Sequence, residues 1–204
     1  DARGTPNTDW PMWRYDAART ATSPAPLPEQ LHLQWVRDLP KPAPAWREEH
    51  FKLQFDRSYE PVVMGHQVFV PSMVRDKVTA YDTATGRENW HFFCDGPVRF
   101  APIAWQGRLY FVSDDGYLYC LDAKKGRLQW QLRLAPDGRK ILGNGRLISM
   151  WPARGGPVLQ DGKIYCAASI WPFMGVFFYA IDAATGNVIW ENSGTGANYI
   201  LPPH

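Results

Sequence analysis

The chain has 204 residues, enough for one or two ordinary domains, and its formal charge of +2 comes from acidic and basic residues mixed along the sequence. No basic stripe is present to neutralise phosphates, which argues against nucleic-acid binding. No apolar run approaches the roughly 18 residues that span a bilayer. Ten Trp, nine Tyr and ten Phe, beside 18 Pro and 17 Gly, predict many short strands joined by frequent turns.

The N-terminal part of the sequence predicts little regular structure. It has no basic start followed by an apolar stretch, and it does not begin with Met. We therefore expect a processed N-terminus from which a signal peptide has been removed, or a trimmed chain. Within an N-terminal segment 1–38, residues 31–38 around Trp35 are predicted to form a lone outer strand.

A repeated signature follows at 80–90, 120–130 and 180–190. The first two copies are 40 residues apart and the third follows after 60, which indicates an insertion of about half a repeat. Asp, Gly and Trp hold the same relative positions in every copy: Asp82, Gly86 and Trp90; Asp122, Gly126 and Trp130; Asp182, Gly186 and Trp190. A matching pair of short strands precedes each copy. Four strands per unit and a period near 40 are typical of a β-propeller blade.

Each residue of the signature has a predicted structural role. The aspartate accepts hydrogen bonds from backbone N–H groups further along and closes a turn. The glycine supplies a position with positive φ. The Trp, four residues later, lies on the outer strand and buries its ring against the neighbouring blade. Thr85 and Thr185 add a hydroxyl bond to this turn, whereas Lys125 occupies that position in the middle copy.

These units predict an all-β fold in which residues 1–204 form one partial propeller domain. Complete four-stranded antiparallel blades are expected at 59–93, 98–134 and 155–191. Three blades do not close a ring, because known propellers use roughly 4–8. We therefore expect the remaining blades to come from elsewhere in the protein or from another chain.

The signature resembles the tryptophan-docking repeat of quinoprotein alcohol dehydrogenases, which use pyrroloquinoline quinone (PQQ), and of their non-enzymatic relatives. The stretch from Asp9 to Trp35 also resembles the opening of such propellers, where the chain adds an outer strand to the last blade. The resemblance implies a ring of eight blades. In the enzymes it also implies a pair of adjacent cysteines near the cofactor, a catalytic Asp, and Glu and Asn ligands for calcium.

The cysteines depart from that enzymatic pattern. Cys94, Cys120 and Cys166 include no adjacent pair, and their spacing matches no disulfide framework or zinc site. They are interpreted as structural thiols in strands. The acidic ligands of the enzymes have no specific counterpart here, and the five His residues show no metal-ligand spacing. No metal site and no catalytic residue are assigned from the sequence.

Insertions in a repeat array tend to mark the face that binds. One insertion, 41–50, precedes the first blade. Another spans 135–156, and its Ser-x-Trp-Pro sequence recurs at 169–172. These insertions combine exposed aromatic rings with cations and an amide, which suit a quinone or a sugar. The predicted ligand-binding residues are Asn144, Arg146, Trp151, Arg154 and Trp171. The competing interpretation, which is favoured, is that both Trp-Pro pairs pack their loops onto neighbouring blades.

Adjacent carboxylates at Asp114 and Asp115 are a second candidate site, because such pairs bind calcium. Only two ligands are visible. The sequence Ser113-Asp114-Asp115-Gly116 fits a tight turn between the second and third strands of its blade, and this interpretation is favoured.

Three functions stay open at this stage. The favoured hypothesis is a non-catalytic propeller, secreted or periplasmic, that acts as a binding or assembly scaffold. The propeller lipoprotein of the outer-membrane barrel-assembly machinery is a similar protein of this kind. The second is a dehydrogenase dependent on PQQ and calcium, whose catalytic residues lie in blades outside this sequence. The third is carbohydrate recognition through the exposed aromatic residues.

Overall fold

The computed structural model describes residues 8–46, 54–143 and 145–195. These residues form three four-stranded sheets and one separate hairpin. The strands of the first sheet are β1 (Val62–Met64), β2 (Gln67–Ser72), β3 (Lys77–Asp82) and β4 (Glu88–Phe93). Those of the second are β5 (Ile103–Trp105), β6 (Arg108–Val112), β7 (Tyr117–Asp122) and β8 (Leu128–Arg133). The hairpin consists of β9 (Lys140–Gly143) and β10 (Arg146–Ser149). The third sheet contains β11 (Gly155–Gln160), β12 (Lys163–Ala168), β13 (Val176–Asp182) and β14 (Val188–Thr195), with a short 3₁₀ turn at Pro172–Met174.

Every sheet is a simple antiparallel meander. Its strands pair in chain order, β1-β2-β3-β4, β5-β6-β7-β8 and β11-β12-β13-β14, so each sheet is one predicted blade. The all-β prediction and the partial propeller are confirmed. The half-repeat inserted before the third blade contains the β9–β10 hairpin, which pairs with no other strand among the described residues.

The second blade is buried on both faces because side chains alternate along its strands. On β6, Tyr110 belongs to the hydrophobic cluster shared with the third blade, and Phe111 to the cluster shared with the first. On β7, Leu118 belongs to the cluster shared with the third blade and Tyr119 to the cluster shared with the first. One strand therefore contributes to two interblade cores, which a single sheet could not supply to itself.

The Asp-to-Gly turns and the Trp residues meet across these interfaces. Oδ1 of Asp82 accepts hydrogen bonds from the Thr85 backbone and hydroxyl, each at 2.8 Å. Gly126 has φ +68°, and a Cβ placed there would lie 2.5 Å from Cε3 of Trp90. Nε1 of Trp90 donates to the Ala123 carbonyl at 3.0 Å. Position 126 thus requires glycine for two reasons: its φ is positive, and the indole ring that covers it leaves no room for a Cβ.

The interface between the second and third blades follows the same plan with one change. The Trp130 ring covers Gly186, as Trp90 covers Gly126. Yet its Nε1 is buried without a hydrogen-bond partner among the described residues. The Ala183 carbonyl, the counterpart of Ala123, accepts instead from the Tyr110 hydroxyl at 2.9 Å and from Arg108 at 3.2 Å.

The N-terminal segment packs across the blades. Trp10 forms an isolated antiparallel bridge with Val63, and the Pro11 carbonyl accepts from the Ala104 backbone at 2.7 Å. Trp35 covers Gly86, and its Nε1 donates to the Thr83 carbonyl at 2.8 Å. Trp35 therefore contacts the first blade as Trp90 contacts the second.

Residues 31–38, predicted as a lone outer strand, carry no strand among the described residues. A strand needs a hydrogen-bonded neighbour, and the last blade, with which this segment is predicted to pair, is not among the described sheets, so the outer strand stays a prediction. The contact of Trp35 with Gly86 was not predicted from the sequence.

The outer face of the third blade is left open. Trp190, at the position of Trp90 and Trp130, is 52% exposed, and Phe178 and Ile189 are exposed beside it. No described residue supplies the turn that this Trp would cover. An apolar face of this kind is typical of a surface that another element packs against.

Candidate functional site

Buried and half-buried charges gather where the blade connections and insertions meet. Arg99 lies in the connection between the first two blades, and Asp114 lies in the turn between β6 and β7. The second insertion contributes Arg146 and Arg154, and the β2–β3 turn contributes Asp76. Because hydrogen bonds among these residues join the loops to one another, we call this side of the molecule the connector face.

Asp114 is the centre of this network. Its Oδ2 accepts from Arg99 Nε at 2.7 Å and from Arg154 Nη2 at 2.7 Å, and its Oδ1 accepts from Arg154 Nε at 2.8 Å. All three side chains are buried. Such bidentate, charge-assisted bonds fix the guanidinium plane as well as its position. Asp114 and Asp115 do lie in the β6–β7 turn, as the favoured interpretation predicted.

Arg99 extends the network towards the first insertion. Its Nη1 donates to Asp56 Oδ2 at 2.5 Å and to the Ala43 carbonyl at 3.0 Å. The same Asp56 oxygen accepts from the Ala45 backbone at 2.8 Å. Both guanidinium groups that contact Asp114 are therefore neutralised within the protein, as buried charges require.

Arg146 forms a separate link from the hairpin to the first blade. It pairs with the Asp76 carboxylate and donates to the backbone carbonyls of Met73 and Val74 at 3.1 and 3.3 Å. Burial raises the pKa of Asp76, and the positive charge of Arg146 opposes that shift. The predicted ligand-binding Arg146 thus has three protein partners.

Two of the predicted ligand-binding residues share a cavity with Trp46. The cavity has a volume of about 210 Å³ and is lined by Arg154, Trp171, Trp46 and apolar residues of the hairpin. The Trp46 and Trp171 rings meet edge to face with centroids 5.8 Å apart, and the Arg154 guanidinium lies 5.7 Å from the Trp46 centroid. The structure brings the two insertions together here, which the sequence did not reveal.

Trp151 lies elsewhere and is not an exposed ring. It is 5% exposed, Nε1 donates to the Met174 carbonyl at 2.9 Å, and Arg139 lies 4.8 Å from its ring centroid. For Trp151 this geometry agrees with the packing interpretation, and its ring is not exposed for stacking on a ligand. Asn144, which belongs to the same insertion, lies outside the described residues.

Sequence reasoning missed Arg99 and Asp56. Neither belongs to a motif, and their partners lie 15 and 43 positions away along the chain. One signal was available for Arg99. It is the only charged residue in the stretch 97–105, which otherwise has the composition of a core. A lone arginine in such a stretch indicates a buried ion pair.

The last candidates among the described residues are the cysteines and possible metal ligands. All three cysteines are free, and burial raises the pKa of the Cys120 and Cys166 thiols to about 12, so both stay protonated at neutral pH. No group of three or more His, Cys, Asp or Glu side chains within 8–46, 54–143 and 145–195 has the geometry of a metal site. The same part of the chain has no helix long and apolar enough to cross a membrane.

The fold and the repeat define a β-propeller built from PQQ-like repeats. The family model described as outer membrane protein assembly factor BamB matches residues 32–198, and the chain belongs to this family of PQQ-like propeller repeats.

Relatives of two kinds resemble the chain. The dehydrogenase subunit of the quinone alcohol dehydrogenase of Gluconobacter oxydans is 30% identical over 162 residues, which cover 72% of this chain and 20% of that protein. The solved quinohemoprotein alcohol dehydrogenase ADHIIG of Pseudomonas putida matches 91% of the chain with a TM-score of 0.62 and 21% identity, over 26% of its own length.

BamB of Moraxella catarrhalis matches 66% of the chain, with a TM-score of 0.52 and 21% identity, over 39% of its own length. The chain thus spans between about a fifth and two fifths of these relatives.

Proposed function

We propose that this chain is part of a non-catalytic propeller, periplasmic or secreted, that acts as a binding or assembly scaffold. The observation that carries the proposal is that the arginines on the connector face form ion pairs within the protein. Arg99, Arg146 and Arg154 each bind a protein carboxylate, so they link the insertions to the blades. Rigid, cross-linked loops on a propeller face are suited to presenting a fixed surface to a partner.

The cavity beside Trp46 and Trp171 does not fit PQQ, the cofactor that the enzymatic relatives suggest. A planar quinone with three carboxylates needs an aromatic platform and cations that are not already neutralised. The cavity beside Trp46 and Trp171 is about 210 Å³, below the roughly 300–1,000 Å³ typical of small-molecule sites. Its only cation, among the described lining residues, is Arg154, whose guanidinium holds both oxygens of Asp114.

The hairpin offers a surface for a partner. Leu142 and Leu147 are cross-strand neighbours on β9 and β10, and they are 78% and 58% exposed. Phe173, after the second Trp-Pro sequence, is also exposed. Exposed apolar side chains on a projecting hairpin are typical of protein contacts. We assign partner binding to this hairpin, with the neighbouring cavity of Arg154 and Trp171 at its base.

The first experiment separates scaffold from enzyme. The full-length protein is titrated with PQQ in the presence of calcium, followed by absorbance and by dye reduction with alcohols. The proposal predicts no uptake at micromolar quinone. Stoichiometric uptake with alcohol-dependent dye reduction would instead establish the dehydrogenase, the candidate that the 30% identity to a quinone alcohol dehydrogenase subunit favours.

The second experiment tests the surface itself. The full-length protein is isolated from its native source as wild type, as Leu142→Ser with Leu147→Ser, and as a control with Leu27→Ser and Leu31→Ser. The control leucines are at least as exposed as those of the hairpin but lie in the N-terminal segment. A protein that accompanies the wild type and the control but not the hairpin variant supports the assignment. Identical partners in all three preparations would remove the hairpin from it.

A further inference from the structure

The β9–β10 hairpin has one backbone edge that no described strand covers, because its sheet contains these two strands only. The edge of β10 is tied to the second blade, since the Ser149 backbone N–H donates to the Asp114 carbonyl at 2.8 Å. The opposite edge runs along β9, where Leu142 is 78% exposed. An uncovered edge of this kind can pair with a strand from another protein.

The hydrogen bonds inside the hairpin show which backbone groups the β9 edge presents. The Met150 N–H donates to the Arg139 carbonyl at 2.9 Å, so these two residues form a hydrogen-bonded pair. In an antiparallel ladder such pairs alternate with pairs whose N–H and C=O groups point outward. Leu142 and Leu147 form a pair of the second kind, so their N–H and C=O groups point to opposite edges of the hairpin. No described backbone group bonds to those of Leu142.

The cavity at the base of the hairpin lies on the face of Ile141 and Ile148, close to β9. These two residues are cross-strand neighbours that both line it, and all three residues 141–143 of β9 contribute to the lining. On an added strand, the residue opposite Ile141 would point its side chain to the same face and therefore towards the cavity. The residues before and after it would point to the other face, beside Leu142.

The cavity selects a neutral aromatic side chain. Its volume of about 210 Å³ is larger than the roughly 150 Å³ of an apolar cavity that holds one benzene ring. The Trp46 and Trp171 rings in its wall are suited to edge-to-face contact with a further ring. Arg154 is the only charged residue of the described lining, and Asp114 already holds its guanidinium. An acidic side chain would therefore find no unpaired cation there, and a basic one would find no carboxylate.

We propose that the partner adds an extended segment to the outer edge of β9 and places an aromatic side chain in the cavity. This inference rests on the proposed function, because it specifies how the hairpin surface binds a protein. In this mode of recognition the backbone hydrogen bonds supply affinity and the side-chain pocket supplies specificity. The residues beside the aromatic one cover Leu142, so a single segment uses both the exposed leucine and the cavity.

The first test uses the full-length protein and a capped synthetic peptide, Gln-Thr-Val-Phe-Val-Thr-Gln, with binding measured by calorimetry. We expect a Kd of about 1 mM or tighter. Replacing the Phe of the peptide by Ser removes the ring and should weaken binding by about tenfold or more. Replacing it by Glu should weaken binding as much, because Arg154 is already paired.

The backbone pairing is tested by two N-methylated peptides, one modified on both Val residues and the other on Phe and both Thr residues. Alternate N–H groups of a strand point to opposite edges, so only one of these sets faces β9. One peptide should lose binding and the other should keep it.

Two proline variants test the same edge from the protein side. Leu142→Pro removes the N–H on the outer edge of β9, and Leu147→Pro, the matched control, removes the N–H on the edge of β10. Neither change removes a hydrogen bond between the two strands. Binding of the Phe peptide should fall about fivefold or more in Leu142→Pro and stay at the wild-type level in Leu147→Pro. Thermal unfolding shows whether each variant is folded, and the N-methylated peptides decide the question if Leu142→Pro is not.

Any of four results would overturn the proposal. They are no saturable binding of the Phe peptide at about ten times that Kd, equal affinity of the Phe, Ser and Glu peptides, equal effects of the two N-methylation patterns, and equal binding by two folded proline variants. The scaffold proposal is tested separately by the variant with Leu142→Ser and Leu147→Ser. A natural partner that is lost in that variant but kept by both proline variants would remove the added strand and leave the hairpin surface in place.

Discussion

Replacement of Gly126 by alanine tests whether Trp-to-Gly contact holds adjacent blades together. The control is Gly107→Ala. Both glycines have positive φ, +68° and +75°, so both substitutions carry a similar conformational penalty of about 1–2 kcal/mol. They differ in what the new methyl group meets. At Gly107 nothing lies within 4 Å, whereas at Gly126 the Cβ would lie 2.5 and 2.6 Å from two carbons of Trp90.

The extra cost at Gly126 comes from moving that indole. Overpacking at a filled interface typically costs about 1–3 kcal/mol, and a displaced ring also loses the Trp90 bond to the Ala123 carbonyl. We expect Gly126→Ala to lower the free energy of unfolding by about 1–3 kcal/mol more than Gly107→Ala does. Urea unfolding followed by Trp fluorescence measures the difference. Equal midpoints for the two variants would refute the idea that the ring is tightly seated on the glycine.

Two further predictions concern the same repeats. Trp90→Phe should destabilise by about 1 kcal/mol more than Trp130→Phe, because only Trp90 has a hydrogen bond to lose; equal losses in urea unfolding would contradict the assignment. In the first turn, hydrogen bonds from the Thr85 hydroxyl and backbone hold the pKa of Asp82 below its usual 3.8. This lowered pKa contributes stability that is present above pH 3.8 and is lost as the pH falls through the folded-state value. Thr85→Val should therefore raise the Asp82 pKa in an NMR titration of its carboxyl carbon, and an unchanged titration would show that the hydroxyl has no part in it.

The repeat could be predicted because its causes are local. Asp82, Gly86 and Trp90 lie within nine consecutive residues, and their spacing alone indicates a turn, a positive φ and a ring on the outer strand. The contact between a Trp and the Gly of the next copy then follows from repetition, since each blade must meet its neighbour in the same way.

The candidate site could not be predicted in the same way. The contact of Arg154 with Asp114 joins residues 40 positions apart, and that of Arg99 with Asp56 joins residues 43 apart. Neither contact joins matching positions of two repeats, so the pairing depends on how the connections fold over the blades.

The different environments of the two Ser-x-Trp-Pro sequences also could not be predicted from the sequence. Trp151 is buried against Phe177 and its Nε1 binds the Met174 carbonyl, whereas Trp171 lines a cavity with Trp46. Their local sequences are alike, and only the surroundings decide which Trp reaches a cavity.

The substitution Asp114→Ala tests most directly whether the arginines of the connector face are structural links. It removes the carboxylate shared by two buried guanidinium groups, and such a loss typically costs about 3–5 kcal/mol. Asp137→Ala is the control, because its pair with Arg139 is exposed and contributes less than about 1 kcal/mol. The measurement is urea unfolding of both variants in the full-length protein. We expect a large loss of stability for Asp114→Ala alone. Wild-type stability in that variant would contradict it and would return Arg99 and Arg154 to consideration as ligand-binding groups.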